Sequence, residues 1–209
     1  GTAANKVTSY KVIRGGQDVT AWYTFGESVD GTLEITKRSV TLTSATAEKT
    51  YDGTALTNAT VELSGDGFVS GEGYTTEVTG SQIEVGESPN EFTYTLNEGT
   101  LAENYEITVV KGTLKVTKNV TEIVIAAASD SKMYDGTALT NPGFTYTEGI
   151  LAEGDELTAV VEGTITNYGT AANKVTGYKV MRGSQDVTAW YTFGESVDGT
   201  LEITKRSVT

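Results

Sequence analysis

A long internal repeat constrains the fold of this chain more than any other feature. Residues 169–209 repeat residues 1–41, and the two copies differ at only three positions. At those positions Ser9, Ile13 and Gly16 are replaced by Gly177, Met181 and Ser184. The spacing of 168 residues is longer than the roughly 20–50 residues of a solenoid unit. It fits two ordinary small domains in succession.

A shorter and weaker repeat divides the long one. The segment KTYDGTALTN at 49–58 returns as KMYDGTALTN at 132–141. Likewise, GTLKVTK at 112–118 returns as GTLEITK at 199–205. These two spacings indicate a pair of diverged domains, each of about 80 to 87 residues.

The repeat also predicts the domain boundaries. We expect complete domains at 38–118 and 119–205. Residues 1–37 then correspond to the C-terminal half of an incomplete repeat domain, and residues 206–209 to the first strand of a following repeat. This arrangement is typical of a segment from a longer array of repeats.

The residue pattern predicts strands throughout. Thr, Val, Ile and Tyr are frequent and apolar residues recur at every second position, which is typical of half-buried strands. The predicted strands of the first domain lie near 40–46, 59–63, 74–79, 81–85, 91–96, 104–110 and 112–118, and those of the second near 120–127, 143–147, 156–162, 164–168, 174–181, 187–193 and 199–205. Short strands separated by Asp-Gly turns predict an all-β fold of β-sandwich domains, each with its own core.

The joints between the predicted domains carry no Gly/Ser-rich or Pro-rich linker. At each joint the apolar positions switch between odd and even numbers, which means that the chain turns its other face to a new core. The residues concerned are Leu33, Ile35, Val40 and Leu42 at the first joint, and Leu114, Val116, Ile123 and Ile125 at the second. Short connections leave little freedom to bend, so we expect an elongated, semi-rigid rod.

Composition excludes several classes of function. The chain has no His and no Cys, which removes the Ser/His/Asp triad, the Cys nucleophile and the usual zinc sites. Its net charge of −13 argues against a nucleic-acid partner, because such binding depends on clustered Lys and Arg. No apolar run reaches the roughly 18 residues of a membrane span. We therefore expect a protein that is not an enzyme and that does not insert this segment into a membrane.

Two Tyr-Asp-Gly segments form the strongest local motif: Tyr51-Asp52-Gly53 and Tyr134-Asp135-Gly136. One interpretation is structural, with Asp-Gly making a turn and the ring covering the edge of a core. The alternative is a recognition loop in which Tyr51 and Tyr134 contact a ligand.

The sequence Ala-Trp-Tyr-Thr-Phe occurs at 21–25 and again at 189–193. If both segments are strands, alternation places each Trp and the following Tyr on opposite faces. One face packs in the core, and the other is free to stack on a sugar or on a neighbouring domain. The candidate binding residues are Trp22, Tyr23, Trp190 and Tyr191.

An acidic cluster raises the question of calcium. Glu153, Asp155 and Glu156 place carboxylate oxygens close together in a predicted loop, and oxygen is the ligand that Ca²⁺ prefers. The spacing does not follow an EF-hand loop. Solvated surface charge is therefore the alternative interpretation of this cluster, and no other cofactor is indicated.

These motifs together resemble a known family. The pattern K-x-YDGTALT, followed by NYEITVVKGTLKVTK and by a KR-type joint that runs into SVTLTSA, is similar to the MBG/YDG-type immunoglobulin-like repeats of large bacterial surface proteins. The resemblance covers both complete domains and, through the long repeat, residues 1–37. It implies immunoglobulin-like domains in a non-enzymatic stalk or adhesin segment that is extracellular and attached to the cell surface or cell wall.

Three functions are consistent with this sequence. The first is a structural stalk or fibre that gives an adhesin mechanical reach, with neighbouring repeats as its partners. The second is a carbohydrate- or mucin-binding module that uses exposed aromatic residues. The third is a subunit that associates with identical chains into filaments, residues 1–37 docking on the second domain of another chain.

Overall fold

The regular structure of the chain is almost entirely β. The computed structural model describes residues 1–208, in which strands dominate and the helical elements are three short 3₁₀ turns. The all-β class predicted from the sequence is confirmed. The immunoglobulin-like tandem arrangement stays a prediction.

The strands are numbered in chain order. Residues 1–37 contain β1 (Thr2–Asn5), β2 (Ile13–Arg14), β3 (Gln17–Asp18) and β4 (Gly31–Glu34). Residues 38–118 contain β5 (Arg38–Ser44), β6 (Ala47–Thr50), β7 (Val61–Gly65), β8 (Tyr74–Val78), β9 (Gly86–Pro89), β10 (Phe92–Leu96), β11 (Tyr105–Val110) and β12 (Thr113–Thr117). The rest of the chain contains β13 (Glu122–Ile123), β14 (Ile125–Ala127), β15 (Asp130–Met133), β16 (Phe144–Tyr146), β17 (Asp155–Glu162), β18 (Gly169–Arg182), β19 (Gln185–Asp186), β20 (Thr192–Phe193) and β21 (Gly199–Thr204). The 3₁₀ turns are Thr20–Trp22, Ala102–Asn104 and Thr188–Trp190.

The chain forms two compact units. The first consists of Gly1–Leu42, Leu63–Thr75 and Tyr94–Val109. The second consists of Thr43–Glu62, Thr76–Thr93 and the chain from Val110 onward. The domain boundaries expected from the repeat, 38–118 and 119–205, stay a prediction.

Sheet order within the second unit follows the repeat. β12 lies between β6 and β9, and β21 lies between β15 and β18, which also pairs with β17 and β19. β6 runs parallel to β12, and β15 runs parallel to β21. Each repeat therefore closes by placing a strand near its start beside the strand at its end.

Several predicted strands are wrong in their positions. The segments near 81–85 and 164–168 make only single bridges, Gln82 with Leu56 and Ile165 with Leu139. The segment 187–193 begins as a 3₁₀ turn, so strict alternation does not apply to its aromatic residues. The sequence does not indicate β6 and β15, because AEKT and DSKM are polar segments with no apolar alternation.

The apolar core of the second unit is continuous across residue 119. Leu114 and Val116 of β12 are fully buried, and so are Ile123 and Ile125 just beyond the joint. All four belong to one cluster. The buried apolar residues do switch from even to odd positions at the joint. The residues on both sides of it nevertheless pack in the same core rather than in separate ones. Burying a side chain of this kind stabilises the fold by about 1.5–3 kcal/mol.

Two buried asparagines hold equivalent places in the two repeats. The Nδ2 group of Asn90 donates to the carbonyl oxygens of Ala45 and Asn58, both at 2.9 Å. Asn173 bridges the corresponding carbonyls of Ala128 and Asn141 at 2.8 and 2.7 Å. Each amide thus satisfies two backbone acceptors that would otherwise lose hydrogen bonds on burial.

Candidate functional site

The centre of the candidate site is the carboxylate of Asp155. Asp155 begins β17 and Arg182 ends β18, and the antiparallel register places the two residues directly opposite each other. Their side chains therefore share one face of the sheet. The Arg182 Nε group donates to Oδ1 of Asp155 at 2.6 Å. The Asp155 side chain is fully buried, whereas that of Arg182 is 27% exposed.

Two tyrosine hydroxyl groups donate to the other carboxylate oxygen of Asp155. Tyr191 lies 2.5 Å from Oδ2 and Tyr51 lies 3.0 Å from it. The Tyr191 oxygen also accepts from the backbone N–H of Ala152 at 2.9 Å. Tyr51 comes from the first Tyr-Asp-Gly loop, and its own N–H is anchored to the carbonyl of Thr117. Asp155 therefore joins a loop of the first repeat to the core of the second.

Aromatic packing surrounds this hydrogen-bonded centre. The Tyr51 ring meets Trp190 and Tyr191 edge to face, at centroid distances of 4.8 and 5.7 Å. The guanidinium of Arg182 lies 5.4 Å from the Tyr51 ring centroid. Edge-to-face pairs and cations over rings each add stabilisation beyond simple burial. The Tyr51 ring therefore contributes packing as well as its hydroxyl group.

Burial raises the pKa of Tyr51 and of Tyr191, and the hydrogen bond of each to Asp155 raises it further. The hydrogen bond to Asp155 likewise raises the pKa of Arg182. Both tyrosines therefore remain neutral donors at physiological pH. Because hydroxyl and guanidinium groups take up both carboxylate oxygens, the arrangement is suited to holding two segments together.

The Tyr-Asp-Gly loops are self-stabilised turns. Oδ1 of Asp52 accepts from the backbone N–H and the hydroxyl of Thr54, at 2.9 and 2.8 Å, and from Lys49 Nζ at 2.7 Å. The second loop repeats these contacts with Asp135, Thr137 and Lys132. An aspartate that binds its own backbone two residues later is an Asx turn. These contacts agree with the structural interpretation of the motif.

These hydrogen bonds affect the acidity of both loop aspartates. Those from Lys49 and Thr54 lower the pKa of Asp52 to about 2. The hydrogen bonds that Thr137 donates, of which the one from its backbone N–H has the largest effect, lower the pKa of Asp135 to about 2 as well. Asp52 and Asp135 therefore both remain ionised at neutral pH.

Two features of the structure favour glycine at position 53, beside Arg182 and Ala152. The φ of Gly53, +80°, lies in the left-handed region that favours glycine. A Cβ atom at this position would also lie 2.9 Å from the Cβ of Ala152. Its carbonyl accepts from a terminal nitrogen of Arg182 at 3.3 Å. Gly136 has the same backbone conformation, but nothing lies within 4 Å of the equivalent Cβ position.

The structure separates the predicted binding aromatics into two groups. Tyr51, Trp190 and Tyr191 pack together, and Tyr51 is only 2% exposed. By contrast, Tyr134 is 42% exposed and its hydroxyl has no hydrogen-bond partner in residues 1–208. Trp22 and Tyr23, which are identical in sequence context to Trp190 and Tyr191, are also exposed.

The predicted calcium residues do not form a cluster around a common point. Glu153 and Glu156 are exposed, whereas Asp155 is buried and bound by its tyrosine and arginine donors. Over the described residues 1–208 there is no group of three or more acidic side chains placed to hold a metal ion. Calcium at this cluster stays a prediction.

Sequence reasoning missed Arg182 altogether, and it also missed the equivalent site in the first repeat. There the hydroxyl of Tyr105 donates to Glu72 at 2.6 Å and accepts from the backbone N–H of Val69 at 3.1 Å. Glu72 and Asp155 are 83 positions apart in the sequence, the same separation as that of the two Tyr-Asp-Gly loops. That spacing was available in the sequence, and it would have pointed to both carboxylates.

Comparison with known proteins adds no relative. No family model matches the chain, and no curated protein or solved structure is significantly similar to it. The resemblance to YDG-type repeats therefore stays a prediction from the residues quoted above.

Proposed function

We propose that this chain is a structural stalk segment of an extracellular bacterial adhesin, made of tandem β repeats with no enzymatic role. The main support is the buried joint in which Asp155 binds Tyr51, Tyr191 and Arg182. A repeat that ends in such a joint is suited to transmitting force and orientation to its neighbour. The resemblance to repeats of bacterial surface proteins is the basis for the proposed location.

The connection at the joint is short and fixed. β12 ends at Thr117 and β13 starts at Glu122. Between them, the Asn119 N–H donates to the Trp190 carbonyl at 2.8 Å, and its carbonyl accepts from the Thr192 hydroxyl at 2.8 Å. Bending here would break these bonds and separate a buried carboxylate from its donors. Removing one partner of a buried charge pair typically costs about 3–5 kcal/mol, so the joint should resist bending.

A second contact lies at the edge of the joint. Gln185 Nε2 donates to the Glu84 carboxylate at 3.3 Å. Because this pair is exposed to solvent, it adds little stability by itself. It does widen the contact beyond the Asp155 centre within the second unit.

Membrane insertion is not part of the proposal. None of the helical turns in residues 1–208 approaches the length or apolar character needed to cross a bilayer.

Small-angle X-ray scattering tests the stalk. A compact domain of this size has a radius of gyration of about 17 Å, and a rod of end-to-end repeats should exceed that value clearly. Tyr51→Ala should give a more flexible particle in a Kratky plot, whereas Tyr134→Ala, at the exposed loop, should not. A wild-type radius near 17 Å would contradict the stalk.

Glycan binding is a second candidate function. The observation in its favour is the exposure of Trp22, at 65%, next to the exposed Tyr23. Exposed aromatic rings can stack on sugar faces. A glycan array with the wild type and with Trp22→Ala tests this function: selective binding that Trp22→Ala removes would support it.

A further inference from the structure

Parts of residues 1–37 have the same local structure as the matching parts of residues 169–205. β1 pairs with β4 in the same register in which β18 pairs with β21: Ala3 lies opposite Leu33, as Ala171 lies opposite Leu201. The Tyr10–Phe25 ring pair repeats the Tyr178–Phe193 pair, each with a centroid distance of 4.2 Å. The two copies therefore fold alike over these strands.

The two copies differ in what covers their last strand. Leu201 and Ile203 are fully buried, whereas Leu33 and Ile35, at the same positions of the repeat, are 54% and 80% exposed. In the second copy, β15 lies along β21 as a parallel neighbour. Within residues 1–208, β4 pairs only with β1. The outer edge of β4 is therefore open, and its apolar side chains face solvent.

A groove lies beside this open edge, within the first unit. Its volume is about 670 Å³. Six residues of its lining matter here: Leu33, Ile35, Thr36, Val69, Asn104 and Tyr105. In the repeat pattern they correspond to Leu114, Val116, Thr117, Ala152, Trp190 and Tyr191. Five of those residues belong to or pack against the hydrophobic cluster that contains Tyr51. The sixth, Thr117, accepts from the Tyr51 N–H through its carbonyl.

The polar end of the groove also matches the joint. Tyr105 donates to Glu72 and accepts from the Val69 N–H, just as Tyr191 donates to Asp155 and accepts from the Ala152 N–H. In the joint, the hydroxyl that completes this arrangement is that of Tyr51. The groove therefore has apolar walls like those around Tyr51, and its Tyr105 is hydrogen-bonded to a carboxylate as Tyr191 is. Among the described residues, no tyrosine of a Tyr-Asp-Gly loop lines it.

We propose that this groove binds a strand and Tyr-Asp-Gly loop from another repeat of the same kind. The strand adds to β4 in parallel, as β15 adds to β21, and the tyrosine ring enters the groove towards Tyr105 and Glu72. This site deepens the proposed stalk function and depends on it, because it is the contact by which one repeat follows another.

The identity of the occupant follows from the sequence of the acceptor strand. Residues 31–36 and 199–204 are both GTLEIT. In the second copy that sequence pairs with Asp130–Met133, the strand that leads into the Tyr134 loop. An identical acceptor edge should accept the same donor sequence. Strand addition at a sheet edge supplies affinity through backbone hydrogen bonds and specificity through side-chain pockets.

A labelled peptide of residues 126–141 provides the test, with binding to the full chain measured by fluorescence anisotropy. Ile35→Glu places a charge in the groove at a side chain that is already exposed, so the fold should tolerate it. Val29→Glu is the matched control, because Val29 is 89% exposed and does not line the groove. We expect Ile35→Glu to weaken binding about tenfold or more, and Val29→Glu to leave it unchanged. A peptide with Tyr134→Ala should lose affinity to a similar extent.

The peptide has a second target. It contains the sequence of β15, the strand that pairs with β21, so it can also bind at β21 by displacing β15. Ile35→Glu leaves β21 intact, so binding that persists in this variant would come from exchange at β21. Equal binding by the wild type and Ile35→Glu, or no binding by the wild type, would overturn the groove proposal. Either result leaves the scattering test of the stalk unaffected, so the two proposals can fail separately. A concentration-dependent dimer that Ile35→Glu abolishes would support the proposal, with a second copy as the donor.

Discussion

The Tyr51 hydroxyl should contribute measurably to the stability of the second unit. Tyr51→Phe removes only the oxygen that donates to Asp155 at 3.0 Å and leaves the ring packing in place. A hydrogen bond to a charged group contributes about 1.5–3 kcal/mol. Because the ring is buried, water cannot replace the lost donor. We therefore expect the free energy of unfolding to fall by about 1.5–3 kcal/mol.

Urea unfolding followed by tryptophan fluorescence measures this change. Trp190 lies against the Tyr51 ring and reports on the joint directly, so the experiment uses a Trp22→Phe background to remove the signal of the exposed Trp22. With a slope of about 2 kcal/mol per molar urea, the loss corresponds to a midpoint lower by about 1 M. Tyr134→Phe is the matched control, and its effect should stay within about 0.5 kcal/mol.

A double-mutant cycle assigns the effect to Asp155. Hydrogen bonds to a charged acceptor are about twice as strong as those to a neutral one. In an Asp155→Asn background, Tyr51→Phe should therefore cost about half as much as in the wild type. Equal losses for Tyr51→Phe and Tyr134→Phe, or equal losses in both backgrounds, would refute the argument that the buried carboxylate stabilises the joint.

Two further predictions use paired sites in the same chain, and a third concerns pH. Gly53→Ala should destabilise the protein by about 1–3 kcal/mol more than Gly136→Ala, because only at Gly53 does the new methyl group meet a neighbour; thermal unfolding of the two variants measures the difference. Asn173→Ala should cost about 2 kcal/mol by leaving two buried carbonyls without a donor, whereas Asn5→Ala, at the exposed equivalent position, should cost little in urea unfolding. Stability should also fall at alkaline pH, because burial raises the pKa of Tyr51 above its usual value near 10. The contribution of the neutral Tyr51 hydroxyl to the free energy of unfolding is complete below about pH 10 and is lost as the pH rises towards the pKa of the folded state. Tyr51→Phe should reduce this loss in a pH series of urea midpoints.

The sequence predicts the local features of this fold well. Alternation at 114–116 and 123–125 matches the buried residues on both sides of the joint. The Tyr-Asp-Gly motif predicts a turn, and Asp52 and Asp135 each form one. These features depend on neighbours in sequence, which is why pattern and turn chemistry are sufficient to find them.

The candidate site depends on contacts between distant residues, and these are not visible in a local pattern. Tyr51 and Asp155 are separated by 104 positions. The pairing of Asp155 with Arg182 requires the register of β17 on β18, which is interrupted by a shift between Val160 and Val161. The acidic residues around Asp155 suggest a calcium ligand. Nothing near it in the sequence indicates that it faces two tyrosines.

The 3₁₀ turn at Thr188–Trp190 shows how alternation misleads. A strand at 187–193 would place Trp190 and Tyr191 on opposite faces. The turn instead lets both rings contact Tyr51. Side chains at successive positions of a 3₁₀ turn are about 120° apart, so the two rings can reach one partner.

The parallel pairing of β6 with β12, and of β15 with β21, has a mechanical consequence. When such a chain is pulled from both ends, the tension acts in opposite directions along two neighbouring strands. Their ladder hydrogen bonds are then loaded in shear and must break together, instead of opening one at a time like a zipper. Repeats closed in this way should extend only under high force, as the proposed stalk requires.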